Sequence, residues 1–224
     1  MSSFILKIIA IISMMFDHVG YIIFGKFTFM NYVGRLAFPI FAFGISEGYK
    51  NTKNLKKYFL RLFIFAIISQ IPYMLFLNAI GANNFTFNIF FTLILGLLSI
   101  TIYDKINNKY LGILVVILFS IFAQLFNFDY GYFGIATIFI FYLFKDKKTL
   151  MNILFVIITF INYFYKYLIT LQIRHLIIIV FCCLSLIPIN LYNNQKGRNI
   201  KYVFYIFYPL HLILLYLVHI LFKF

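Results

Sequence analysis

The chain has 224 residues, of which 64% are hydrophobic, 22% aromatic and 11% charged, with a formal net charge of +14 and a mean hydropathy of +1.00. A soluble domain is nearer half apolar and a quarter charged, and one core of this size cannot bury so many apolar side chains. These values exclude a soluble globular enzyme and a disordered chain, and they predict an integral membrane protein.

Nine apolar segments approach the length of a membrane-spanning helix, which needs about 20 mainly apolar residues. The first begins as a signal peptide would, but its apolar run continues to Phe24 without a small-residue cleavage site. We therefore interpret it as a membrane helix. The predicted spans are, in chain order, 5–24, 32–49, 58–78, 85–103, 111–126, 132–144, 150–165, 175–192 and 202–222.

Turn-forming sequences separate the predicted spans, and none of them is long enough to divide two domains. They include residues 81–84, 104–109, 129–131 and 193–197. The sequence contains no internal repeat that we can identify. We therefore expect one all-α, polytopic membrane domain that comprises residues 1–224.

Basic residues favour the cytoplasmic side of a membrane protein, so their distribution predicts an orientation. With the N-terminus inside and nine alternating spans, every inner loop is more basic than the outer loops beside it. Of the 19 Lys and Arg residues, the outer side holds only Lys26, Arg35, Lys166, Arg174 and Lys223. We expect a multi-pass protein of the cytoplasmic membrane, with its N-terminus inside and its C-terminus outside.

The net charge is explained by this topology and by contact with the anionic lipid bilayer. Because the charge is scattered over short loops, nucleic acid is not an expected partner. A second interpretation applies to the loop at 50–61, whose cations are suited to hold the phosphates of a cytoplasmic cofactor. The candidate cofactor-binding residues are Lys7, Lys53, Lys56, Lys57 and Arg61. The adjacent Cys182 and Cys183 lack metal-ligand spacing, and no metal is expected.

Ionisable side chains inside a bilayer cost about 2.5–3.5 kcal/mol at a helix centre, so each is a functional candidate. Asp17 and His18 are consecutive in the first span, and consecutive helical residues point about 100° apart. Asp17 is therefore not expected to orient His18, and its predicted partner is Arg35. His18 is then a neutral imidazole that can act as a base or a nucleophile. The alternative is that Asp17 and Arg35 only clamp two helices together.

Lys7 stands eleven residues before His18. Eleven residues make about three helical turns, so the two side chains share one face, roughly 16 Å apart. They would then line one path across the membrane. The alternative is that Lys7 is an ordinary anchor at the inner surface.

The last predicted span carries Tyr208, Pro209 and His211. Pro209 removes one backbone hydrogen bond and is expected to bend the helix. Tyr208 and His211 are three residues apart and lie on neighbouring positions of one face. His211 is therefore a second candidate for proton transfer or for positioning of the acceptor, with Tyr208 beside it.

Other polar residues lie in or beside the predicted spans. Gln70 and Asn88 are amides inside spans, and Asp129 precedes the sixth. We group these three as substrate-positioning candidates, with hydrogen bonding between helices as the alternative. Glu47 ends the second span, where a local pair with Lys50 is expected, and Asp104 and Asp146 are placed in inner loops.

Several short motifs, in this order, resemble the TraX family, which is known from N-acetylation of conjugative pilin. The resemblance covers essentially the whole chain and is poorest between residues 145 and 201. The motifs are LKIIA at 6–10, FDHVG at 16–20, GRLAFPIFAF at 34–43, EG at 47–48, the segment 57–61, SQIPY at 69–73, NIFFTL at 88–93, DYGYFG at 129–134 and FYPLHL at 207–212.

The resemblance implies an acetyltransferase that uses acetyl-CoA from the inner side. Its acceptor would be an amine, such as a pilin or peptide N-terminus, or a hydroxyl of a cell-surface glycan, reached from the outer side. TraX-like proteins are also distantly similar to polytopic acyltransferases with Arg, ten residues and His in the first helix; here Lys7 replaces the Arg. Two alternatives remain open, namely a proton-coupled transporter and a structural or assembly protein without catalysis.

Overall fold

The computed structural model describes residues 1–82, 84–198 and 201–222, with the side chain of Lys201 excepted. The described residues are all-α, as predicted, and their only β-type pairing is an isolated bridge between Phe87 and Phe128. Asn83 of the predicted turn and Lys223 of the predicted outer side lie outside the described residues.

Eleven helices form within the described part of the chain, where the sequence predicts nine. Two predicted spans are each divided into a pair of helices. The helices are α1 (Ser3–Phe24), α2 (Phe29–Gly34), α3 (Ala37–Asn51), α4 (Leu55–Ala79), α5 (Ile89–Lys105), α6 (Lys109–Leu125), α7 (Gly131–Leu143), α8 (Lys148–Thr170), α9 (Arg174–Leu184), α10 (Leu186–Asn190) and α11 (Lys201–Phe222).

Both divisions lie four residues before a proline. Pro39 and Pro188 have no backbone N–H, so the carbonyls of Arg35 and Leu184 lose their normal helical donors. The chain turns at these points, between α2 and α3 and between α9 and α10. Cys182 Sγ donates a weak hydrogen bond to the carbonyl of Arg35 instead, at 3.8 Å.

Within the described part of the chain, four helices are long and apolar enough to cross a membrane: Ser3–Phe24, Leu55–Ala79, Lys148–Thr170 and Tyr202–Phe222. Large apolar side chains also face outward along shorter helices such as α6, where Leu118, Ile121 and Leu125 are exposed. A water-soluble protein does not present such extended apolar surfaces. The helices thus support a membrane protein, while the count of nine spans and the inward N-terminus stay predictions.

The chain groups into two compact units, each assembled from separate stretches of sequence. Unit 1 comprises Met1–Phe41, Ile68–Asn84 and Thr159–Phe224, and unit 2 comprises Ala42–Ile67 and Phe85–Ile158. Three of the boundaries between these stretches fall inside helices: the boundary at 41–42 lies in α3, that at 67–68 in α4 and that at 158–159 in α8. The single domain of residues 1–224 stays a prediction.

Unit 1 is built around α1, which packs against α2 and α11. The start of α1 is held by backbone hydrogen bonds from Ser3 to the carbonyl of Gln195, at 2.8 Å, and from Phe4 to that of Lys196, at 3.2 Å. These bonds satisfy N–H groups that a helix cannot satisfy internally.

Unit 2 is built around α5, α6 and α7, which pack against one another. Its core includes Leu95 and Tyr103 of α5, Val116 and Ala123 of α6, and Ile135 of α7. Side-chain packing of this kind, rather than helix propensity, stabilises most helices in folded proteins.

Candidate functional site

The first element of the site is the ion pair between Asp17 of α1 and Arg35, directly after α2. Arg35 Nη2 lies 2.5 Å from Asp17 Oδ1, and the two side chains are only 16% and 14% exposed. The pair predicted from the sequence is therefore present. Two charges become tolerable in a low-dielectric setting when they compensate each other in this way.

Asn31, which the sequence analysis does not single out, connects this pair to α2. Its Nδ2 donates to the backbone carbonyl of Asp17 at 2.7 Å and to Oδ1 of Asp17 at 3.2 Å. Its Oδ1 accepts from the backbone N–H of Thr28 at 2.7 Å, while Arg35 Nε donates to its carbonyl at 3.1 Å. From the sequence, Asn31 falls in the predicted turn before the second span, where an Asn carries no signal of such a role.

Two glycines allow α1 and α2 to approach closely enough for these contacts. A Cβ on Gly34 would lie 2.9 Å from the Cα of Asp17, and one on Gly20 would lie 2.9 Å from Oδ1 of Asn31. The first overlap is with backbone, which cannot move aside cheaply. Gly34 is therefore required at this crossing.

The second element is a direct contact between two histidines that are 193 residues apart in sequence. His18 Nδ1 and His211 Nε2 are separated by 2.7 Å. The ring planes differ by 8° and the centroids are 5.0 Å apart, which fits two rings that meet edge to edge across the N···N contact. The bond therefore lies in the plane of both rings, as an imidazole hydrogen bond requires.

Aromatic rings surround this histidine pair. Phe76 of α4 lies 4.8 Å from the ring of His18. Phe207 stacks on His211 at 4.9 Å, and Tyr208 lies 5.7 Å from it. His211 is 3% exposed and Tyr208 4%, while His18 is half-buried, so the ring of His211 occupies a largely apolar environment in which a charged group would be poorly solvated.

The histidine pair and the ion pair meet on α1, where Asp17 and His18 are consecutive. A family model described as "TraX protein" matches residues 2–219. The chain belongs to the TraX family. It is also similar to the probable fimbrial assembly protein FimC, serogroup H1, of Dichelobacter nodosus, with 27% identity over 238 aligned residues. That alignment covers 96% of this chain and 94% of the relative. No solved structure matches the chain.

The remaining predicted residue of α1 in this TraX-family chain is Lys7. Its ammonium lies over the ring of Phe204 of α11, 5.3 Å from the centroid. This contact is of the cation–π type. Lys7 and His18 thus both contact α11, eleven residues apart along α1.

The other predicted cofactor-binding residues belong to unit 2. Lys53, Lys56 and Lys57 are exposed around the start of α4, where the backbone N–H of Lys57 donates to Oδ1 of Asn54 at 2.9 Å. Arg61 lies one turn further, with its guanidinium 5.8 Å from the ring of Tyr58. Lys53, Lys56 and Lys57 thus form an exposed basic stretch, with Arg61 half-buried beside it, and their phosphate-binding role stays a prediction.

The three predicted substrate-positioning residues are distributed between the units. Gln70 is half-buried in unit 1. Asn88 is fully buried in unit 2, where its Nδ2 donates to the carbonyl of Ala66 at 2.7 Å and its Oδ1 caps α5 by accepting from Phe90 N–H at 3.0 Å. Asp129, also in unit 2, pairs through its backbone N–H with the carbonyl of Phe87 at 2.9 Å. Asn88 therefore caps α5 and also bonds to the backbone of α4, which is the hydrogen bonding between helices given as the alternative; the substrate-positioning role of the three residues stays a prediction.

The expected local pair of Glu47 with Lys50 is wrong. Glu47 is 7% exposed and forms its ion pair with Lys145, which follows α7. Lys50 instead lies over the ring of Tyr142 and 3.9 Å from Asp146. Glu47 and Lys50 are neighbours on one helix, but tertiary packing brings Lys145 to the buried carboxylate of Glu47 instead.

Asp104, which the sequence places in an inner loop, accepts two side-chain hydrogen bonds. It lies in the last turn of α5 and accepts hydrogen bonds from Tyr142 at 2.6 Å and from Tyr49 at 2.9 Å. The bond from Tyr142 is the largest cause that lowers the pKa of the Asp104 carboxyl below its usual value. Among the described residues, no group of three or more His, Cys, Asp and Glu could hold a metal.

Proposed function

We propose that this TraX-family protein is an acetyltransferase of the cytoplasmic membrane that moves an acetyl group from acetyl-CoA to an acceptor reached from the outer side. The observation that carries the proposal is the contact of His18 with His211 beside the compensated charges of Asp17 and Arg35. A neutral imidazole in an apolar, aromatic environment is suited to remove a proton from an incoming nucleophile.

The proposed reaction balances without any further reactant. The acceptor nitrogen attacks the thioester carbonyl carbon while His18 takes the proton from that nitrogen. The C–S bond then breaks, and the CoA thiolate receives the proton from His18. Asp17 and Arg35 hold α1 and α2 in place around the base.

The acetyl donor is assigned to cationic residues. We assign the binding of CoA phosphates from the cytoplasm to Lys53, Lys56, Lys57 and Arg61, with Lys7 as a further candidate. The exposure of Lys53, Lys56 and Lys57 around the start of α4 and the positions of Lys57 and Arg61, four residues apart on one face of that helix, support this assignment.

The acceptor class is proposed from the family. TraX proteins are linked to pilin acetylation, and the Dichelobacter nodosus relative is named as a fimbrial assembly protein. A pilin or peptide N-terminal amine is therefore the first acceptor to test, before a glycan hydroxyl. The word "assembly" in the relative's name favours a second candidate function, in which the protein assists fimbrial assembly without catalysis.

Full-length protein in lipid nanodiscs, supplied with acetyl-CoA and a synthetic pilin N-terminal peptide, tests the proposal. We expect CoA thiol release that depends on the peptide and stops when the same peptide carries a blocked N-terminus. Peptide binding without thiol release, equal in wild type and His18→Ala, would contradict catalysis and favour the assembly function.

A further inference from the structure

The hydrogen bonds of His211 determine which of its nitrogens carries the proton. His211 Nδ1 lies 2.8 Å from the backbone carbonyl of Phe207, one turn earlier in α11. A carbonyl oxygen can only accept a hydrogen bond, so Nδ1 of His211 must be the donor. With a single N–H in a neutral imidazole, Nε2 of His211 is then an acceptor.

The protonation of His211 also determines which nitrogen of His18 carries a proton. Because Nε2 of His211 is an acceptor, the 2.7 Å contact requires His18 Nδ1 to carry a proton and donate it. A neutral His18 then has its lone pair on Nε2. Among the described residues, none makes a hydrogen bond to that nitrogen.

His211 is neutral on the same geometric grounds. It is 3% exposed, its ring is stacked on Phe207, and Tyr208 and His18 are its other ring contacts. The one acidic residue in unit 1, Asp17, is engaged by Arg35. Burial of an imidazolium without a carboxylate partner would be costly, so the neutral form is the one that fits.

We infer that His211 is a positioning residue that holds His18 in one tautomer, and that Nε2 of His18 is the nitrogen that reacts. The backbone carbonyl of Phe207 is the fixed end of this chain of hydrogen bonds. The inference rests on the acetyl transfer proposed above for its consequence in catalysis, but the tautomer itself is a property of the resting protein.

The arrangement also limits where the proton can go. When Nε2 of His18 takes a proton from the acceptor amine, Nδ1 keeps its N–H and its bond to His211. Nδ1–H of His211 faces a carbonyl, which is not a proton acceptor at neutral pH, so the pair provides no exit for a proton. The proton therefore returns through Nε2 to the CoA sulfur, and both substrates must meet at the same edge of the His18 ring.

A direct test uses the small number of histidines in the chain. The sequence contains four, His18, His175, His211 and His219, so ¹⁵N-histidine labelling of the full-length protein in nanodiscs gives four pairs of ring signals. We expect His18 protonated at Nδ1, with an N–H···N coupling to Nε2 of His211. A wild-type His18 protonated at Nε2, or no coupling between the two rings, would overturn the inference.

Paired variants separate positioning from packing. In His211→Gln the side-chain oxygen can still accept from His18 Nδ1, whereas His211→Leu fills similar space without an acceptor. We expect His211→Leu to lose the Nδ1–H tautomer and about 100-fold in acetyl transfer, and His211→Gln to keep the tautomer and most of the activity. His219→Leu, on the same helix, is the control and should change neither.

The two proposals fail in different ways. A wild-type protein with the expected tautomer but no acetyl transfer would contradict the proposed function and leave the positioning role of His211 intact. Acetyl transfer that falls equally in His211→Gln and His211→Leu, with the His18 tautomer unchanged, would show that His211 only packs.

Discussion

The two units of the molecule differ in the number of carboxylates that they contain. Unit 1 contains a single acidic residue, Asp17, whereas unit 2 contains Glu47, Asp104, Asp129 and Asp146. In unit 2, cations pair with carboxylates, as Lys145 does with Glu47. Cations of both units also lie over aromatic rings, so the number of carboxylates is what differs; these cations include Lys7, Lys166 and Arg174 in unit 1 and Lys50, Arg61 and Lys109 in unit 2.

This difference indicates which unit can hold neutral imidazoles for catalysis. With one carboxylate in unit 1, and that one compensated by Arg35, the imidazoles of His18 and His211 have no anionic partner and stay neutral. A neutral imidazole keeps a lone pair available for catalysis. The pairs of unit 2 stabilise packing, and we expect their loss to affect stability rather than acetyl transfer.

The largest expected effect is that of His18→Ala in unit 1. Loss of the base should lower acetyl transfer by at least about 100-fold, while loss of one neutral hydrogen bond should lower stability by only about 1 kcal/mol. Thiol release and the amount of folded protein, measured together, check this. His175→Ala, outside the site, serves as the matched control. An active His18→Ala protein would remove the proposed mechanism, and one that fails to accumulate would favour a structural role.

The next effect concerns the ion pair of unit 1. Asp17→Ala leaves Arg35 as an uncompensated charge, and because the pair keeps 14–16% exposure the cost should be at most about 3 kcal/mol, the lower end for buried pairs. Accumulation and thermal stability in nanodiscs should fall. Adding Arg35→Leu should restore accumulation but not acetyl transfer; restored activity would show that the pair has no part in the site.

The matching change in unit 2 is Glu47→Gln, which removes the charge that pairs with Lys145. Lys145 is 19% exposed and can reach water with its long side chain, so the loss of stability should be about 1–2 kcal/mol. The double variant with Lys145→Met should recover part of it. Unchanged KM and kcat are expected, and a fall in kcat at full stability would end the contrast between the two units.

The donor proposal predicts a smaller, salt-dependent effect in unit 2. Replacing Lys53, Lys56 and Lys57 together by Gln should raise the KM for acetyl-CoA without changing kcat. The increase should shrink as salt is added, because these charges are exposed and screened. Replacing Lys105, Lys147 and Lys148 in the same way is the matched control. Equal KM values for both triple variants would leave the loop at 50–61 as a topology signal.

The smallest effect is expected at Asp104. Tyr142→Phe removes its main hydrogen-bond donor, so the pKa of Asp104 should rise towards its ordinary value. A carboxyl whose pKa is lowered in the folded state stabilises that state above its unfolded pKa, and this contribution is lost as pH falls through the folded pKa. The variant should therefore differ from wild type at neutral pH and match it in strong acid. A ¹³C carboxyl titration measures the shift directly.

Several features followed from local sequence because they depend on composition and short-range spacing. An apolar content of 64% and helix-length apolar runs predict an all-α membrane protein, and ordered motifs such as FDHVG predict the family. The pair of Asp17 with Arg35 was also predictable, since only two predicted outer cations, Lys26 and Arg35, lie close to Asp17 in sequence. The sequence analysis considered the effect of Pro209 on the last span, but it did not predict that two other spans would be divided near Pro39 and Pro188.

The contacts that define the site depend on tertiary structure instead. His18 and His211 are 193 residues apart, and no spacing rule connects them, since each was visible only as a histidine in an apolar helix. Asn31 was missed because a turn asparagine is ordinary until its amide is seen to bind Asp17. The partner of Glu47 was predicted wrongly because Lys50 is its neighbour in sequence, whereas packing places Lys145 against the buried carboxylate. The sequence by itself thus determined the class of protein, its helices and its family, which follow from local apolar patterns. Only the tertiary structure decided which polar groups meet, because a buried polar group takes whichever distant partner folding brings within hydrogen-bond reach.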